Sequence, residues 1–132
     1  KVQFKDKTIN LGGGEEFRIN TTTDGNQSQP VVAPLNGGGF VVVWTSSIYS
    51  EIAGGIVHDD VFHQIFDSQG NKIGDEVKVN TDGGTRYLDQ KDPQVASMID
   101  GGFLITYSSE GFDPDGSYGV VSLNFPLSLK LP

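Results

Sequence analysis

The chain contains no cysteine, which excludes a disulfide, a thiolate metal site and a cysteine nucleophile. Basic residues are scarce as well: 9 Lys and Arg stand against 17 Asp and Glu, for a formal net charge of −8. This acidity argues against binding to nucleic acid or to an anionic membrane, because both need a basic face. It fits cation binding, or simply solubility in a salty medium. No apolar run approaches the ~18 residues of a membrane span, so we expect no membrane insertion.

Helical signals are also missing, because no window shows a 3.6-residue apolar period with capping residues. Eighteen glycines and 10% aromatic residues are typical of an all-β protein with many turns. A length of 132 residues predicts a single all-β unit over residues 1–132. The chain starts at Lys1 rather than Met, and we therefore expect a mature product or a piece of a longer protein.

An internal duplication is the most informative feature of the sequence. Residues 29–47 read as two short strands around the turn Asn36-Gly37-Gly38-Gly39, and residues 92–109 repeat the pattern. The run Phe40–Trp44 is apolar throughout, which predicts an inner strand covered on both faces. The matched positions are Pro30 with Pro93, Phe40 with Phe103, Trp44 with Tyr107, and Ser46-Ser47 with Ser108-Ser109.

The duplicated unit extends beyond these hairpins. A third strand is predicted at 61–67, and the segment 77–81 (VKVNT) matches 17–21 (FRINT) as a further strand. We predict repeat 1 at about 17–76, with an irregular insertion at 48–60, repeat 2 at about 77–125, and a closing edge strand at 127–131.

Two four-stranded antiparallel repeats of this kind are typical of propeller blades, which need like neighbours to bury both faces. Two blades cannot close a ring of at least about four. The fold class is therefore predicted as all-β with two blade-like repeats, either a propeller fragment or a propeller closed by oligomerisation. A β-sandwich is the alternative.

The repeated motif also resembles a known class. Its residues are Asn20-Thr21, Gln29-Pro30, Val32-Ala33, Leu35, Gly38-Gly39-Phe40, Trp44, Ser46-Ser47, Phe66-Asp67, Gly70, Gly74, Glu76 and Val79-Asn80-Thr81. This pattern resembles the β-propeller-like repeat of large secreted or surface proteins, such as RTX-type bacterial adhesins, calcium-binding surface proteins and ciliate repeat proteins. The resemblance implies a propeller-like fold and an extracellular or cell-surface setting. Tyr107, which replaces a recurrent tryptophan, and the 48–60 insertion depart from the pattern.

Two metal sites are candidates. Asp113, Asp115 and Gly116 form a D-x-D-G sequence, whose alternate carboxylates suit calcium. Position 12 counted from Asp113 is Asn124, so the EF-hand motif fails, and a solvated turn is the alternative. The second candidate is a transition-metal set, weighed against two surface histidines. It comprises His58, Asp59, Asp60 and His63.

Exposed aromatic residues predict a surface for sugar, because ring faces beside hydrogen-bonding groups suit pyranose binding. The ligand-binding candidates are Tyr49, Arg86, Tyr87, Gln90, Phe112 and Tyr118. We expect Trp44 and Tyr107 to pack between blades instead. No Gly-x-Ser-x-Gly elbow is present, and no catalytic residue is assigned. A glycosidase would need two facing carboxylates; those in predicted loops are Glu51, Asp59, Asp60, Asp89, Asp92, Glu110 and Asp113.

The sequence therefore predicts a non-enzymatic extracellular β-repeat module that serves as a scaffold or adhesive surface. Its expected partners are a glycan or protein surface, and further repeats or further copies of the chain. A lectin that closes a propeller by oligomerisation is the first alternative, and a glycan-cleaving enzyme is the second.

Overall fold

The computed structural model describes residues 14–50, 55–81 and 88–126, which form two antiparallel β-sheets. The strands are β1 (Asn26–Pro34), β2 (Phe40–Ser50), β3 (Ile56–Phe66), β4 (Lys72–Lys78), β5 (Gln90–Ser97), β6 (Phe103–Ser109) and β7 (Gly119–Phe125). The first sheet has the order β1-β2-β3-β4 and the second β5-β6-β7, and neither closes on itself. The predicted all-β class is confirmed, and the first sheet has the predicted four antiparallel strands, whereas the second has three in the described part of the chain. The predicted closing strand at 127–131 lies outside the described residues.

The central hairpin of the first sheet is longer than the sequence predicted. Residues 48–60 were expected to be irregular, yet β2 and β3 stay paired from Phe40↔Phe66 as far as Ser50↔Ile56. Polar side chains support this extension across the strands, since Ser47 Oγ donates to Asp59 Oδ1 at 2.5 Å. Cross-strand polar pairs stabilise a sheet where its faces are not apolar, and an apolar pattern does not reveal them.

Two predicted strands are shorter or absent. Residues 17–20 are not in a strand, although they were expected to form one. The matching segment 77–81 joins the sheet only in part, because β4 ends at Lys78. Val79 then continues the contact with a single backbone bond, its N–H donating to Val61 O at 2.7 Å. Residues 17–20 therefore lie before the chain enters the first sheet, and residues 79–81 lie where the chain leaves it.

Both sheets carry the same irregularity in their first strand. The β1–β2 register shifts between Ser28 and Val31, and the β5–β6 register shifts between Lys91 and Gln94. The bulge residues before the prolines, Gln29 and Asp92, each have φ of 54°. Proline has no N–H for the ladder, so a bulge is the place where a strand tolerates it. The shared bulge is structural evidence that the two repeats are equivalent.

The two sheets stack face to face around one apolar cluster, which we call the inter-sheet core. Its buried members are Ala33, Val41, Val43, Val61, Val79, Phe103, Ile105 and Tyr107. The first sheet contributes Val41 and Val43 to this core, and both lie on one face of β2. The second sheet contributes Phe103 and Ile105, whose equivalents in the first repeat lie on the opposite face of β2. These equivalents are Phe40 and Val42. The sheets therefore stack head to tail, each presenting a different face to its neighbour.

Hydrogen bonds join the sheets at equivalent positions, 63 residues apart. Gln29 Nε2 donates to Asp92 Oδ1 at 3.0 Å, and the Asp92 N–H donates back to Gln29 Oε1 at 3.1 Å. At the other end of the same strands, Asn36 Nδ2 donates to Ile99 O at 2.6 Å. β1 and β5 therefore run side by side in the same direction. β5 is also the strand of the second sheet that comes closest to the first.

The first hairpin turn gives a prediction about glycine. Gly39 has φ of +81°, and a Cβ there would clash with the carbonyl oxygen of Phe66, whereas Gly37 has φ of +101° and open space around it. Gly39→Ala should therefore lower the free energy of unfolding by about 2 kcal/mol, and Gly37→Ala by only about 1 kcal/mol. Urea denaturation measures both. Equal losses would show that backbone conformation alone, and not the close approach to β3, requires glycine at position 39.

Candidate functional site

Residues 110–118 join β6 to β7 and carry four of the predicted site residues; we call this segment the 110–118 loop. Phe112 is 62% exposed and Tyr118 is 40% exposed. The Lys91 ammonium lies 4.7 Å from the centroid of the Tyr118 ring, within the range of a cation–π contact. The loop thus presents two aromatic rings at one end of the second sheet, and Lys91 of β5 places a cation beside one of them.

One carboxylate and one backbone hydrogen bond hold the turn of this loop closed. Asp115 Oδ1 accepts hydrogen bonds from the Ser117 hydroxyl at 2.5 Å and from the Ser117 N–H at 3.0 Å, and these bonds lower the pKa of Asp115. The Gly116 N–H donates to the Asp113 carbonyl at 2.9 Å. Within the described ranges, no three His, Cys, Asp or Glu side chains are grouped so that they could hold a metal ion. Calcium at Asp113 and Asp115 stays a prediction.

The other predicted ligand residues are dispersed. Tyr49 is 60% exposed near the end of β2, at the position that matches Phe112. Gln90 is buried, and its Nε2 donates to the Leu88 carbonyl at 3.3 Å. It corresponds to Gln27, whose Oε1 accepts from the Trp44 indole at 3.0 Å. Two further candidates, at positions 86 and 87 (Arg86 and Tyr87), lie outside the described residues.

A buried polar cluster surrounds Asp60, which is only 1% exposed. Asp60 Oδ2 lies 3.2 Å from His58 Nε2 and 3.5 Å from Lys78 Nζ, and Asp60 Oδ1 accepts from Asn80 Nδ2 at 2.9 Å. Asn80 Oδ1 in turn accepts the Val61 N–H at 2.8 Å. The structure thus brings His58 and Asp60 together, and their contacts tie β3 to the segment that leaves β4.

His63, the last member of that predicted metal set, lies in a different place. It borders a cleft of about 650 Å3 that opens between the two sheets beside their hairpin turns. The side chain is 5% exposed, and its ring centroid lies 5.2 Å from that of Phe103 and 5.1 Å from that of Phe125. Burial lowers the pKa of His63 from 6.5 to about 4. The imidazole is therefore neutral at pH 7.

The outer face of the first sheet, on the side away from the second sheet, is apolar. Val42, Trp44 and Phe66 are buried there against Ile19, from the segment that precedes β1. Val32, on the same face, is 64% exposed. In the second sheet, Ile105, Tyr107 and Phe125 are equivalent to Val42, Trp44 and Phe66, and Val95 is equivalent to Val32. All four side chains pack in or against the inter-sheet core. Tyr107 thus lies between the sheets as predicted, whereas Trp44 lies beneath Ile19.

The far face of the second sheet is more polar than its counterpart. Its residues Gln94, Thr106, Ser122 and Asn124 occupy the positions of Val31, Val43, His63 and Ile65 in the first sheet. Val120, on this face, is 78% exposed. The two ends of the stack therefore differ: the first sheet ends in an apolar surface and the second in a mixed one.

Comparison with protein-family models, with curated proteins and with solved structures finds no match for this chain. No helix in the described parts of the chain is long and apolar enough to cross a membrane. The resemblance of the repeat to surface-protein repeats therefore stays a prediction, and the functional argument rests on the geometry of the sheets, the 110–118 loop and the cleft.

Sequence reasoning did not find the cleft. Its walls combine His63 and Ile73 of the first sheet with Phe103 and Phe125 of the second. One sequence feature pointed to it. His63 interrupts the apolar run of β3 at a position where the alternation of side chains along a strand predicts a covered face. Its surroundings depend on how the sheets are stacked, which no local pattern specifies.

Proposed function

We propose that this chain is a non-enzymatic extracellular module in which β-sheets stack like the blades of a propeller and provide a scaffold or adhesive surface. One observation carries the proposal: equivalent bulges of the two sheets, at Gln29 and Asp92, are hydrogen-bonded to each other, which relates the sheets by a head-to-tail contact. A head-to-tail contact is heterologous, so it can be extended by further units. An isolated sandwich would need no such equivalence between its two sheets.

The unpaired faces indicate where a further sheet would join. Val32 is exposed, whereas its counterpart Val95 packs against the inter-sheet core, so the outer face of the first sheet around Val32 is suited to another repeat. Beside it, Trp44 is already covered by Ile19. The far face of the second sheet is polar enough to end a stack, as the terminal units of repeat proteins do. The partner at the first sheet would be a sheet of the same repeat type, from a longer chain or from another copy.

The carboxylates of the described residues support a structural role over catalysis. Asp89 Oδ1 accepts the Asp59 N–H at 3.0 Å, and Glu110 Oε2 accepts the Asp89 N–H at 2.8 Å. Together with the buried Asp60, these acids bind neighbouring backbone or side-chain groups. A glycosidase needs two opposed carboxylates that are free to meet the substrate.

Equivalent valines provide the test of stacking. Val95→Asp should lower the free energy of unfolding by about 2 kcal/mol, because it places a carboxylate against the inter-sheet core. Val32→Asp, at the matching position, should change it by less than about 0.5 kcal/mol in this chain, since the site is exposed. Chemical denaturation measures both. In a chain extended by one preceding repeat, Val32→Asp should become as costly as Val95→Asp.

Persistent tolerance of Val32→Asp in the extended chain would contradict blade-like stacking. Sedimentation velocity on the 132-residue chain provides a second measurement. Any self-association should weaken in Val32→Asp and persist in Phe112→Ala, because Phe112 lies on the 110–118 loop and outside both sheet faces.

A lectin is the second candidate, and the exposed rings of Phe112 and Tyr118 beside Lys91 favour it. Aromatic faces next to polar groups are suited to pyranose binding. A glycan array, repeated with Phe112→Ala and Tyr118→Ala, tests it, since a lectin should lose binding in both variants. Ring closure in addition requires a stable oligomer by light scattering. A monomer that binds no glycan leaves the scaffold as the function.

A further inference from the structure

We propose that residues 17–20 of one copy of the chain pair with the edge of β7 in a second copy and add a fourth strand to its sheet. The proposal rests on the stacking function, since the added strand carries the outer face of its own first sheet onto that second copy. In the described part of the chain, β7 is the last strand of a three-stranded sheet. Residues 17–20 (FRIN) are in no strand, yet they repeat the pattern apolar, basic, apolar, Asn of residues 77–80 (VKVN).

Residues 77–80 show how such a segment pairs with the third strand of a sheet. Val77 lies opposite His63 in the antiparallel β3–β4 register. The Val79 N–H donates to Val61 O at 2.7 Å, and Asn80 Oδ1 accepts the Val61 N–H at 2.8 Å. Both backbone groups of Val61 therefore face the segment that leaves β4.

The edge of β7 offers the same backbone pairing. Val120 and Ser122 occupy the positions of Val61 and His63. Val120 is 78% exposed, and the described ranges contain no strand on that side of β7. By equivalence, Ile19 and Asn20 of another copy would bond to Val120, and residue 17 would lie opposite Ser122. An extended segment added to an open sheet edge is a common mode of protein recognition.

Charged side chains match at the same place. In the first sheet, Lys78 lies 3.5 Å from the Asp60 carboxylate, and Arg18 takes the place of Lys78 in the N-terminal segment. Gly119 replaces Asp60 in β7, but a carboxylate oxygen of Asp113 lies against the position that a Cβ of residue 119 would take. Arg18 and Asp113 are exposed, and neither has an ion-pair partner among the described residues. The two surfaces are therefore complementary in charge.

The partner is a second copy because one chain cannot join these surfaces itself. Ile19 packs against Trp44 and Phe66 on the outer face of the first sheet. β7 belongs to the second sheet, which stacks on the opposite face of the first. Residues 17–20 therefore lie on the wrong side of the first sheet to reach β7 of their own chain. Pairing between copies brings the far face of one second sheet against the surface around Val32.

That far face can end the stack of one chain and still bind another copy, because its centre is apolar. Three of its residues occupy positions that are buried in the inter-sheet core; they are Ala96, Leu104 and Val120, which match Ala33, Val41 and Val61. A mixture of apolar and polar residues is usual in an interface between chains that also exist apart.

A disulfide reports this pairing directly, since the chain has no cysteine. A Phe17→Cys chain mixed with a Ser122→Cys chain should form a mixed disulfide dimer on mild oxidation, because the two residues lie opposite each other in the proposed register. The yield, measured by mass spectrometry, should exceed at least about fivefold that of Phe17→Cys with Asn124→Cys, a control on the same face of β7. Equal yields, or no mixed dimer, would overturn the proposal and leave the β7 edge to another occupant, such as the predicted strand at 127–131. Self-association that Val32→Asp weakens would, in that case, still support stacking.

Reversal of charge tests the ion pair between copies. Arg18→Glu in the Phe17→Cys chain should lower the yield of mixed dimer at least about threefold, and Asp113→Lys in its Ser122→Cys partner should restore it. Asp75→Lys adds the same charge at an exposed position of β4 and should restore nothing. An unchanged yield in Arg18→Glu, or equal restoration by both lysines, would contradict the pairing of residues 18 and 113.

Discussion

Replacement of Asp60 by alanine is expected to lower the free energy of unfolding by about 3 to 5 kcal/mol. The carboxylate is 1% exposed and accepts from His58, Lys78 and Asn80. Removal of the carboxylate takes this contact from the buried His58 and Asn80 and from the exposed Lys78, and the loss for the two buried partners costs far more than the loss of an exposed ion pair. Urea denaturation at pH 7 measures the loss.

Two further variants separate burial from charge. Asp75→Ala, at an exposed position of β4, should change the free energy of unfolding by less than about 0.5 kcal/mol. Asp60→Asn keeps the shape and one acceptor oxygen, so it should fall between the two alanine variants. If Asp60→Ala were as mild as Asp75→Ala, the cluster would contribute nothing to the stability of the fold.

The Asp60 cluster also matters for the arrangement of the two sheets. Asn80 and Val79 lie where the chain leaves β4 for the second sheet; Asn80 is held by Asp60, and Val79 lies in the inter-sheet core. Loss of Asp60 therefore loosens the segment that carries the chain from one sheet to the next. We expect the stack to weaken before the β2–β3 hairpin, which keeps its own long register.

Much of the fold could be predicted because the duplication fixes hairpins by comparison. Phe40 and Phe66 stack at 4.9 Å, as Phe103 and Phe125 do at 5.0 Å, so matched sequence positions indeed occupy matched structural positions. Local apolar runs and glycine turns were sufficient for this part of the prediction. The length of β2 and β3 was missed because polar cross-strand pairs extend them.

Buried polar residues were the principal failure of the sequence reading. Gln64 is fully buried, and its Nε2 donates to Ile73 O at 3.3 Å and Gly74 O at 3.1 Å, where the β3–β4 register shifts. Gln90, predicted as a surface donor, lies in the interior. The Nε2 of Gln64 is satisfied by backbone groups 9 and 10 residues away, and such partners cannot be read from its sequence neighbours. By contrast, the exposed Phe112 and Tyr118 follow directly from their loop.

The stability of the chain is expected to fall by about 3 kcal/mol between pH 6.5 and pH 4 because of His63. Burial lowers the pKa of His63 to about 4 in the folded state, against an ordinary value of 6.5. Within this interval the unfolded chain takes up a proton that the folded chain does not. The stability that depends on neutral His63 is therefore fully present above pH 6.5 and is lost as the pH falls towards 4. Urea denaturation at half-unit pH intervals measures the slope.

His63→Phe, or His63→Gln if the first variant folds poorly, should remove this slope between pH 6.5 and pH 4. Hydrogen bonds lower the pKa values of the Asp67 and Asp115 carboxyls below 3.8, so these groups add to the slope only below about pH 5. The part of the slope between pH 6.5 and pH 5 therefore isolates His63. An undiminished slope in both variants would mean that His63 is hydrated in the folded state. The same result would contradict the burial of this imidazole between Phe103 and Phe125, so the titration tests the packing of the two sheets around His63.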